Sequence, residues 1–335
     1  MFLKIIISLA PSLLYLFCLR LLDSYNLVKL KTVLMFLAMG ISAALFAYMI
    51  NVNLITALAI DDVRYSKFAA PVVEEILKAA FIIYFILRKR IAFLVDGAIF
   101  GFSIGAGFAF LENIYYLNTI SGADILIWIL RGFGTAIMHG CTTAVYALLI
   151  KYFTEKLQQV YSLWVPFLLI IPIIIHMAFN NFIVPPIIFT ILQLTVTPLL
   201  FYVIFLYSER KLKSWLELSL ESNHELLTAI NCGELLQSKA GQYFQNLKNK
   251  FSPLILADLV CYIRLYIELS MTAKGMLIMK ELGFSNKMTA ELEEKINEIK
   301  YLEKKIGFTG RLAIQPLIYN EKGIAWIEDM LVKSN

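Results

Sequence analysis

Residues 96–113 read DGAIFGFSIGAGFAFLEN, an apolar stretch that contains four small residues at intervals of four. The small residues of this series are Gly97, Gly101, Gly105 and Ala109. In lipid, small residues at this spacing form a flat helix face that a neighbouring helix can approach closely. Glu112 falls on the same face, three residues further on. The stretch therefore predicts a helix over about residues 92–117 that presses a carboxylate into a packed helix bundle.

The whole chain has the composition of a membrane protein. Of its 335 residues, 59% are hydrophobic and 16% are charged, whereas ordinary soluble domains have roughly 45–50% apolar residues. Residues 1–208 carry 13 basic and 9 acidic side chains, and residues 209–335 carry 17 and 16. This split predicts a transmembrane domain over 1–208 and a soluble helical domain over 209–335. The net charge of +5 is small and dispersed beside hydrophobic runs, so we expect no nucleic-acid partner.

A helix needs about 20 mostly apolar residues to cross a bilayer, and seven segments of the sequence meet this requirement. They cover residues 2–22, 32–50, 67–87, 92–117, 124–153, 163–183 and 186–208. We therefore expect an all-α fold, a polytopic membrane helix bundle of about seven spans with a C-terminal cytoplasmic helical domain. Its first partner is the lipid bilayer.

The basic residues predict the orientation of these spans. Eleven lysines and arginines lie in or beside the loops on one side of the membrane, and three lie on the other side. Loops rich in basic residues stay in the cytoplasm. We therefore expect a multi-pass protein of the cell membrane with its N-terminus outside and its tail in the cytoplasm. The tail is then a candidate surface for a cytoplasmic protein partner.

Four predicted spans carry polar side chains at bilayer depth, where ionisable groups are costly and therefore candidate functional groups. With a rise of ~1.5 Å per residue, their depths fall mostly within about one helical turn of each other. We expect them to meet in one pocket in the outer half of the membrane. The residues are Glu74, Glu75, Lys78, Glu112, Arg131, Thr135, His139, Thr143, His176 and Asn180.

The adjacent carboxylates of Glu74 and Glu75 suggest the chemistry. They project about 100° apart on a helix, and two carboxylates in a low dielectric resist being ionised together. Lys78 follows Glu74 by four residues, and we expect it to compensate the charge of Glu74 in part. A carboxylate held close to neutrality suits a general base that acts on water, and His or Asn donors can hold a developing oxyanion. A hydrolytic site, an ion or substrate pathway and structural ion pairs stay open as alternatives.

The order and spacing of the polar residues resemble a known family. The elements are Glu-Glu-x-x-Lys at 74–78, Phe-x-x-x-Glu-Asn at 108–113, the isolated His139, and His-x-x-x-Asn at 176–180. They resemble the PrsW family of intramembrane proteases, which is distantly similar to the CAAX prenyl endopeptidases. The resemblance implies a membrane-embedded peptidase that cuts a membrane-anchored protein near the extracytoplasmic face. Site-1 cleavage of an anti-sigma factor is the type of target that the family implies.

The resemblance also implies roles for individual side chains. By analogy with the CAAX endopeptidases, Glu74 would activate the water. His176 and Asn180, with His139 or Glu112, would stabilise the tetrahedral intermediate. The pattern departs at Glu112, where the CAAX endopeptidases have a histidine, so that histidine's role is not carried over. The candidate catalytic residues are Glu74, Glu75, Glu112, His139, His176 and Asn180.

A metal ion is an alternative that these residues leave open. Two histidines and one glutamate form the ligand set of many catalytic zinc sites, and His139, His176 and one of Glu74, Glu75 or Glu112 would supply it. However, the sequence has no His-Glu-x-x-His motif, and the glutamates outnumber the histidines. We therefore expect glutamate-based hydrolysis with no cofactor, and we do not favour zinc.

Two other functions remain as alternatives to a peptidase. A proton- or ion-coupled transporter would use the same carboxylates as a relay and would need a polar path towards the cytoplasm, for which Asp96 and Arg131 are candidates. A membrane scaffold would use the cytoplasmic helices as its working part.

Overall fold

The computed structural model describes residues 2–331 apart from 24, 26, 121, 158–163, 238, 249, 283, 285–288 and 319–321. Every regular element in this part of the chain is a helix, which agrees with the all-α prediction. The chain divides into two compact units, Met1–Glu209 and Arg210–Asn335.

The longer helices that begin in the first unit are α1 Phe2–Leu21, α2 Leu30–Leu58, α3 Ala70–Leu87, α4 Leu94–Thr119, α5 Ala136–Leu157, α6 Ile170–Asn180 and α7 Pro186–Asn231. Short helices cover Asp62–Arg64, Ile125–Ile129 and Trp164–Leu168. Two π-helical turns, Tyr65–Ala69 and Leu130–Thr135, lead directly into α3 and α5. A π-helical turn thus precedes two of the helices that carry the polar residues.

Five helical segments of the described chain are long and apolar enough to cross a membrane. They are Phe2–Leu21, Leu30–Leu58, Leu94–Thr119, Ile125–Lys156 and Pro186–Asn231. The predicted third span is α3, which has 18 residues and includes Glu74, Glu75 and Lys78. The predicted sixth span contains the short apolar segment Val165–Asn180, and its first residue, Leu163, lies outside the described residues. The number of seven spans therefore stays a prediction.

Helix α4 is the most deeply buried of these apolar segments. It begins with an acidic cap, since Oδ2 of Asp96 accepts the backbone N–H groups of Ala92 and Phe93 at 2.8 Å each. Both N–H groups belong to the residues just before the helix, and a carboxylate near a helix N-terminus also interacts favourably with the helix dipole. The cap fixes the tight connection that joins α3 to α4.

The small-residue face of α4 packs against α5, as its spacing predicts. A Cβ atom at Gly105 would overlap the backbone carbonyl oxygen of His139. At Gly97, two turns earlier, the nearest atom to an added Cβ would be the carbonyl oxygen of Ala147 at 3.4 Å, which is an ordinary contact. The two helix backbones therefore approach most closely beside His139.

We expect Gly105→Ala to lower the stability of the protein and Gly97→Ala to leave it nearly unchanged. The added methyl at Gly105 has to push α5 away, and such overpacking costs typically about 1–3 kcal/mol. Thermal unfolding of both variants in detergent measures the difference. Equal unfolding midpoints for the two variants would contradict the close approach at Gly105.

The second unit is a small helical bundle. Beyond α7 it contains α8 Lys239–Leu247, α9 Pro253–Glu281, α10 Ala290–Ile314 and α11 Ile324–Leu331, with a 3₁₀ turn at Leu235–Gln237. Helix α9 is the longest of these four helices, with 29 residues. Its Asp258 pairs with Lys305 on α10 at 2.9 Å. Charges that recur along an apolar helix are thus used in helix pairing.

Candidate active site

Helix α3 places a buried ion pair at the centre of the polar cluster. Nζ of Lys78 donates to Oε1 of Glu75 at 2.6 Å, and the two side chains are 0% and 2% exposed. The direct ion pair of Lys78 is therefore with Glu75, and its expected partial compensation of Glu74 acts through the longer-range attraction of its charge. On a helix, a lysine can reach a glutamate three or four residues before it. Lys78 pairs with Glu75, which is more deeply buried than Glu74.

His176, on α6, lies between the two glutamates of α3. Its Nδ1 is 2.9 Å from Oε1 of Glu75, and its Nε2 is 3.8 Å from Oε2 of Glu74. Because Glu75 is also paired with Lys78, it acts as a carboxylate acceptor and Nδ1 of His176 donates to it. In the neutral ring this leaves a lone pair on Nε2, on the side of Glu74.

His139, on α5, connects the ion pair to Glu112. Its Nδ1 is 3.1 Å from Nζ of Lys78, and its Nε2 is 3.1 Å from Oε2 of Glu112. An ammonium group has no acceptor, so Nδ1 accepts from Lys78 and Nε2–H donates to Glu112. The rings of His139 and His176 are nearly perpendicular, with centroids 4.7 Å apart. Five predicted candidates thus lie in one cluster.

On a regular helix, Arg131, Thr135, His139 and Thr143 would form one polar stripe, because they follow one another at intervals of four residues. The π turn before α5 changes this arrangement. Nη2 of Arg131 is 3.1 Å from Oε1 of Glu112, so Arg131 and His139 both contact this carboxylate. A π turn holds an extra residue, which keeps Arg131 and His139 on one side although they are eight residues apart. The hydroxyl of Thr143 instead donates to the carbonyl of His139 at 3.0 Å.

Thr142 belongs to the cluster and was not singled out from the sequence. Its Oγ1 lies 3.5 Å from Oε1 of Glu75 and 3.1 Å from the carbonyl oxygen of His139. It follows His139 by three residues, so it lies on the same face of α5. The three-residue spacing from His139 could have indicated Thr142, whereas the four-residue spacing indicated Thr143.

Asn180 lies away from the cluster in its hydrogen bonding. Its Nδ2 donates to the carbonyl oxygen of Ser66 at 3.0 Å, and the next residue, Asn181, donates to that of Lys67 at 3.1 Å. Both acceptors precede α3, within the π turn Tyr65–Ala69. The end of α6 is therefore fastened to the segment that leads into the two glutamates.

Only part of the cluster reaches the surface. The side chains of Glu74, Glu112 and Arg131 are 16%, 26% and 13% exposed. Glu75, Lys78, His139 and His176 are each exposed by 2% or less. A substrate would therefore meet Glu74 and Glu112 first.

Three side chains of the cluster fit a metal ion. Glu74, His139 and His176 each offer one ligand atom, and these atoms lie within 4.8 Å of one another. Two histidines and one carboxylate are a ligand set of catalytic zinc sites, with ligand bonds of about 2.0–2.2 Å. Binding would require the three side chains to close in slightly. The donor set suits a divalent transition metal.

Comparison with known proteins places the chain in a family. The model of a family described as PrsW family intramembrane metalloprotease matches residues 29–208, more than half of the chain. The chain belongs to the PrsW family. No curated protein and no solved structure matches it significantly. The matched region contains α2–α6 and hence every candidate catalytic residue, and it supports an intramembrane peptidase located in a membrane.

Membership of the PrsW family gives no support to the transporter alternative. The path that this alternative needs is also occupied by other contacts. Asp96 caps α4, and Arg131 pairs with Glu112.

The expectation of hydrolysis without a cofactor is wrong. The PrsW family is described as a metalloprotease family, which points to a metal cofactor. The absence of a His-Glu-x-x-His motif does not exclude a metal site, because that motif describes only sites whose two histidines lie on one helix. Here Glu74, His139 and His176 come from α3, α5 and α6, so no local spacing marks the set.

Proposed function

We propose that the protein is a metal-dependent endopeptidase that hydrolyses peptide bonds of membrane-anchored proteins. The observation that carries the proposal is the imidazole of His176 between Glu74 and Glu75, beside the ring of His139. A pair of glutamates and two histidines from three helices, within the region matched by a metalloprotease family, suits hydrolysis better than ion-pair stabilisation.

Glu74, His139 and His176 would hold the ion. When bound, a divalent metal supplies Lewis-acid polarisation of the scissile carbonyl and of the attacking water. Glu75 orients His176 through Nδ1, so that its Nε2 is directed towards Glu74. Glu112 orients His139 through Nε2. The other nitrogen, Nδ1, accepts from Lys78 and would exchange this hydrogen bond for the metal.

The remaining groups move the protons and hold charge. Glu74 is the more exposed carboxylate of the α3 pair. One of its oxygens would hold the ion, and the other would take the proton of the attacking water and return it to the leaving amine. Lys78 stays positively charged beside Glu75 and stabilises negative charge that develops in the cluster. Asn180 fastens α6 to the turn before α3 and so keeps His176 opposite the two glutamates.

The distribution of basic residues supports the proposed orientation, and the resemblance to the PrsW family supports the proposed substrate class. With the N-terminus outside and the tail in the cytoplasm, cleavage takes place in the outer half of the membrane, near the extracytoplasmic face. Anti-sigma factors and similar single-pass regulators are the proposed targets. Residues 1–208 form the protease part, and residues 209–335 form a cytoplasmic domain that binds a protein partner.

Cells that produce wild-type protein or Glu74→Gln test the peptidase. The substitution removes the carboxylate at almost constant size, so we expect single-pass membrane proteins that are shortened by the wild type to stay full-length. Quantitative membrane proteomics with peptide mapping measures this. Glu291→Gln, at an exposed glutamate of α10, is the matched control and should cleave normally. The same shortened proteins with Glu74→Gln, at equal abundance of the variant, would refute the function.

A further inference from the structure

Arg131 lies next to the candidate metal ligands but is not one of them. Its Nε donates to Oδ1 of Asn113 at 2.9 Å, and its Nη2 forms an ion pair with Oε1 of Glu112 at 3.1 Å. The guanidinium also stacks on the ring of Tyr116, 3.7 Å from the centroid. Three neighbours on α4 therefore fix its position.

Asn113 connects this arginine to α1. Its side chain is 1% exposed, and its Nδ2 donates to the backbone carbonyl of Ser8 at 2.7 Å. The hydrogen bond from Nδ2 fixes the orientation of the amide, so that its oxygen accepts from Arg131. Gly132 packs against the carbonyl of Ile7, the neighbouring residue of α1. Both the side chain of Arg131 and its π turn are anchored to a helix that carries no candidate ligand.

Glu112 transmits this anchoring to His139. One carboxylate oxygen is taken by Arg131, and the other lies 3.1 Å from Nε2 of His139. A carboxylate that accepts from the second nitrogen of a ligating histidine fixes the tautomer and the ring orientation, and loss of such a contact typically weakens metal binding by about 10–100-fold. Glu112 is 26% exposed, so without Arg131 it is free to turn towards solvent.

We propose that Arg131 is a positioning residue of the metal site, which holds Glu112 in the orientation that fixes His139 and which ties the site to α1. The proposal rests on the metal site of the proposed function. It assigns to the π turn Leu130–Thr135 the task of bringing an arginine and a ligating histidine of the same helical segment onto one glutamate.

Zinc binding by the full-length protein in detergent tests the proposal. Zn²⁺ is titrated in competition with a chelating dye, and the thermal unfolding of the metal-free protein is recorded for each variant. We expect Arg131→Gln to weaken Zn²⁺ binding about 10–100-fold. Arg131→Lys keeps the charge but cannot reach both Glu112 and Asn113 with a rigid fork, so we expect a smaller loss. It also carries the test if Arg131→Gln fails to accumulate.

Arg88→Gln is the matched control. Arg88 also stacks on a tyrosine, Tyr84, at 5.4 Å, but it lies outside the cluster. We expect this variant to bind Zn²⁺ with wild-type affinity. Wild-type affinity in folded Arg131→Gln or Arg131→Lys would overturn the proposal, because an ion pair with only a structural role changes the unfolding midpoint and not the affinity.

A double variant decides whether Arg131 acts through Glu112. If it does, Arg131→Gln combined with Glu112→Gln binds Zn²⁺ as weakly as Glu112→Gln alone. Losses that multiply would show an independent action and contradict the proposal.

Glu74→Gln distinguishes failure of the proposed metal site from failure of the role proposed for Arg131. If this variant binds Zn²⁺ like the wild type, or if the wild type binds none, the proposed metal site itself is wrong and the role of Arg131 is refuted with it.

Discussion

His176→Ala should reduce peptide hydrolysis by roughly 10³-fold or more, since it removes at once a metal ligand and the group that separates the two glutamates. The nitrogens of this ring lie 2.9 Å from Glu75 and 3.8 Å from Glu74. No other histidine of the described chain reaches both. We expect the variant also to lose stoichiometric zinc.

The measurement is the cleavage rate of a co-expressed membrane substrate, normalised to the amount of protease in the membrane. The chain has three histidines, and the third supplies the control. His224 is exposed on α7, so His224→Ala should cleave at the wild-type rate. A His176→Ala variant that accumulates normally and retains wild-type cleavage would exclude the proposed site.

Lys78→Met should cost about 3 kcal/mol or more of folding free energy. The substitution preserves much of the side-chain volume but leaves Glu75 as a buried carboxylate without its cation, and breaking a buried pair in this way typically costs about 3–5 kcal/mol. Both side chains are almost completely buried, so little solvent is available to compensate. Thermal unfolding in detergent measures the loss.

Removing the partner charge should restore most of this stability. In the double variant Lys78→Met with Glu75→Gln, two neutral side chains replace the buried ion pair, and we expect the unfolding midpoint to return towards the wild type. Lys295→Met is the control, since Lys295 pairs with Glu268 and Glu291 at the surface. Exposed pairs contribute about 0–1 kcal/mol. Equal losses for Lys78→Met and Lys295→Met would show that the buried pair has no special importance.

The helices were predictable where composition alone decides them. Apolar segments, the small-residue face of α4 and the apolar core of α9 follow from residue type and spacing. The boundaries near the polar cluster were less predictable. The span expected to start at Lys67 begins as a π turn, and the fifth span is interrupted at Leu130–Thr135. A π turn depends on packing with neighbouring helices, and its local sequence does not mark it.

The cluster was predictable in its members and less so in its pairings. Ionisable side chains are costly at bilayer depth, and this identified Glu74, Glu75, Glu112, His139 and His176 as members of the cluster. The partner of Lys78 was not predictable, because two glutamates lie within its reach on an isolated helix. The helices that pack against α3, which include α2, α5 and α6, determine which of them is buried. The partner of Asn180 is a backbone carbonyl 114 residues away, and no side-chain pattern indicates such a contact.

The π turn Leu130–Thr135 also bears on the comparison of related sequences. The extra residue of a π turn corresponds to a single inserted position in an otherwise regular helix. A relative whose helix is regular here would lack that position, so an alignment anchored on the histidine at 139 would need a one-residue gap between 130 and 135. Without the gap, Arg131 would be paired with a neighbour that faces a different direction. Relatives with and without the gap would then differ in whether an arginine supports the glutamate.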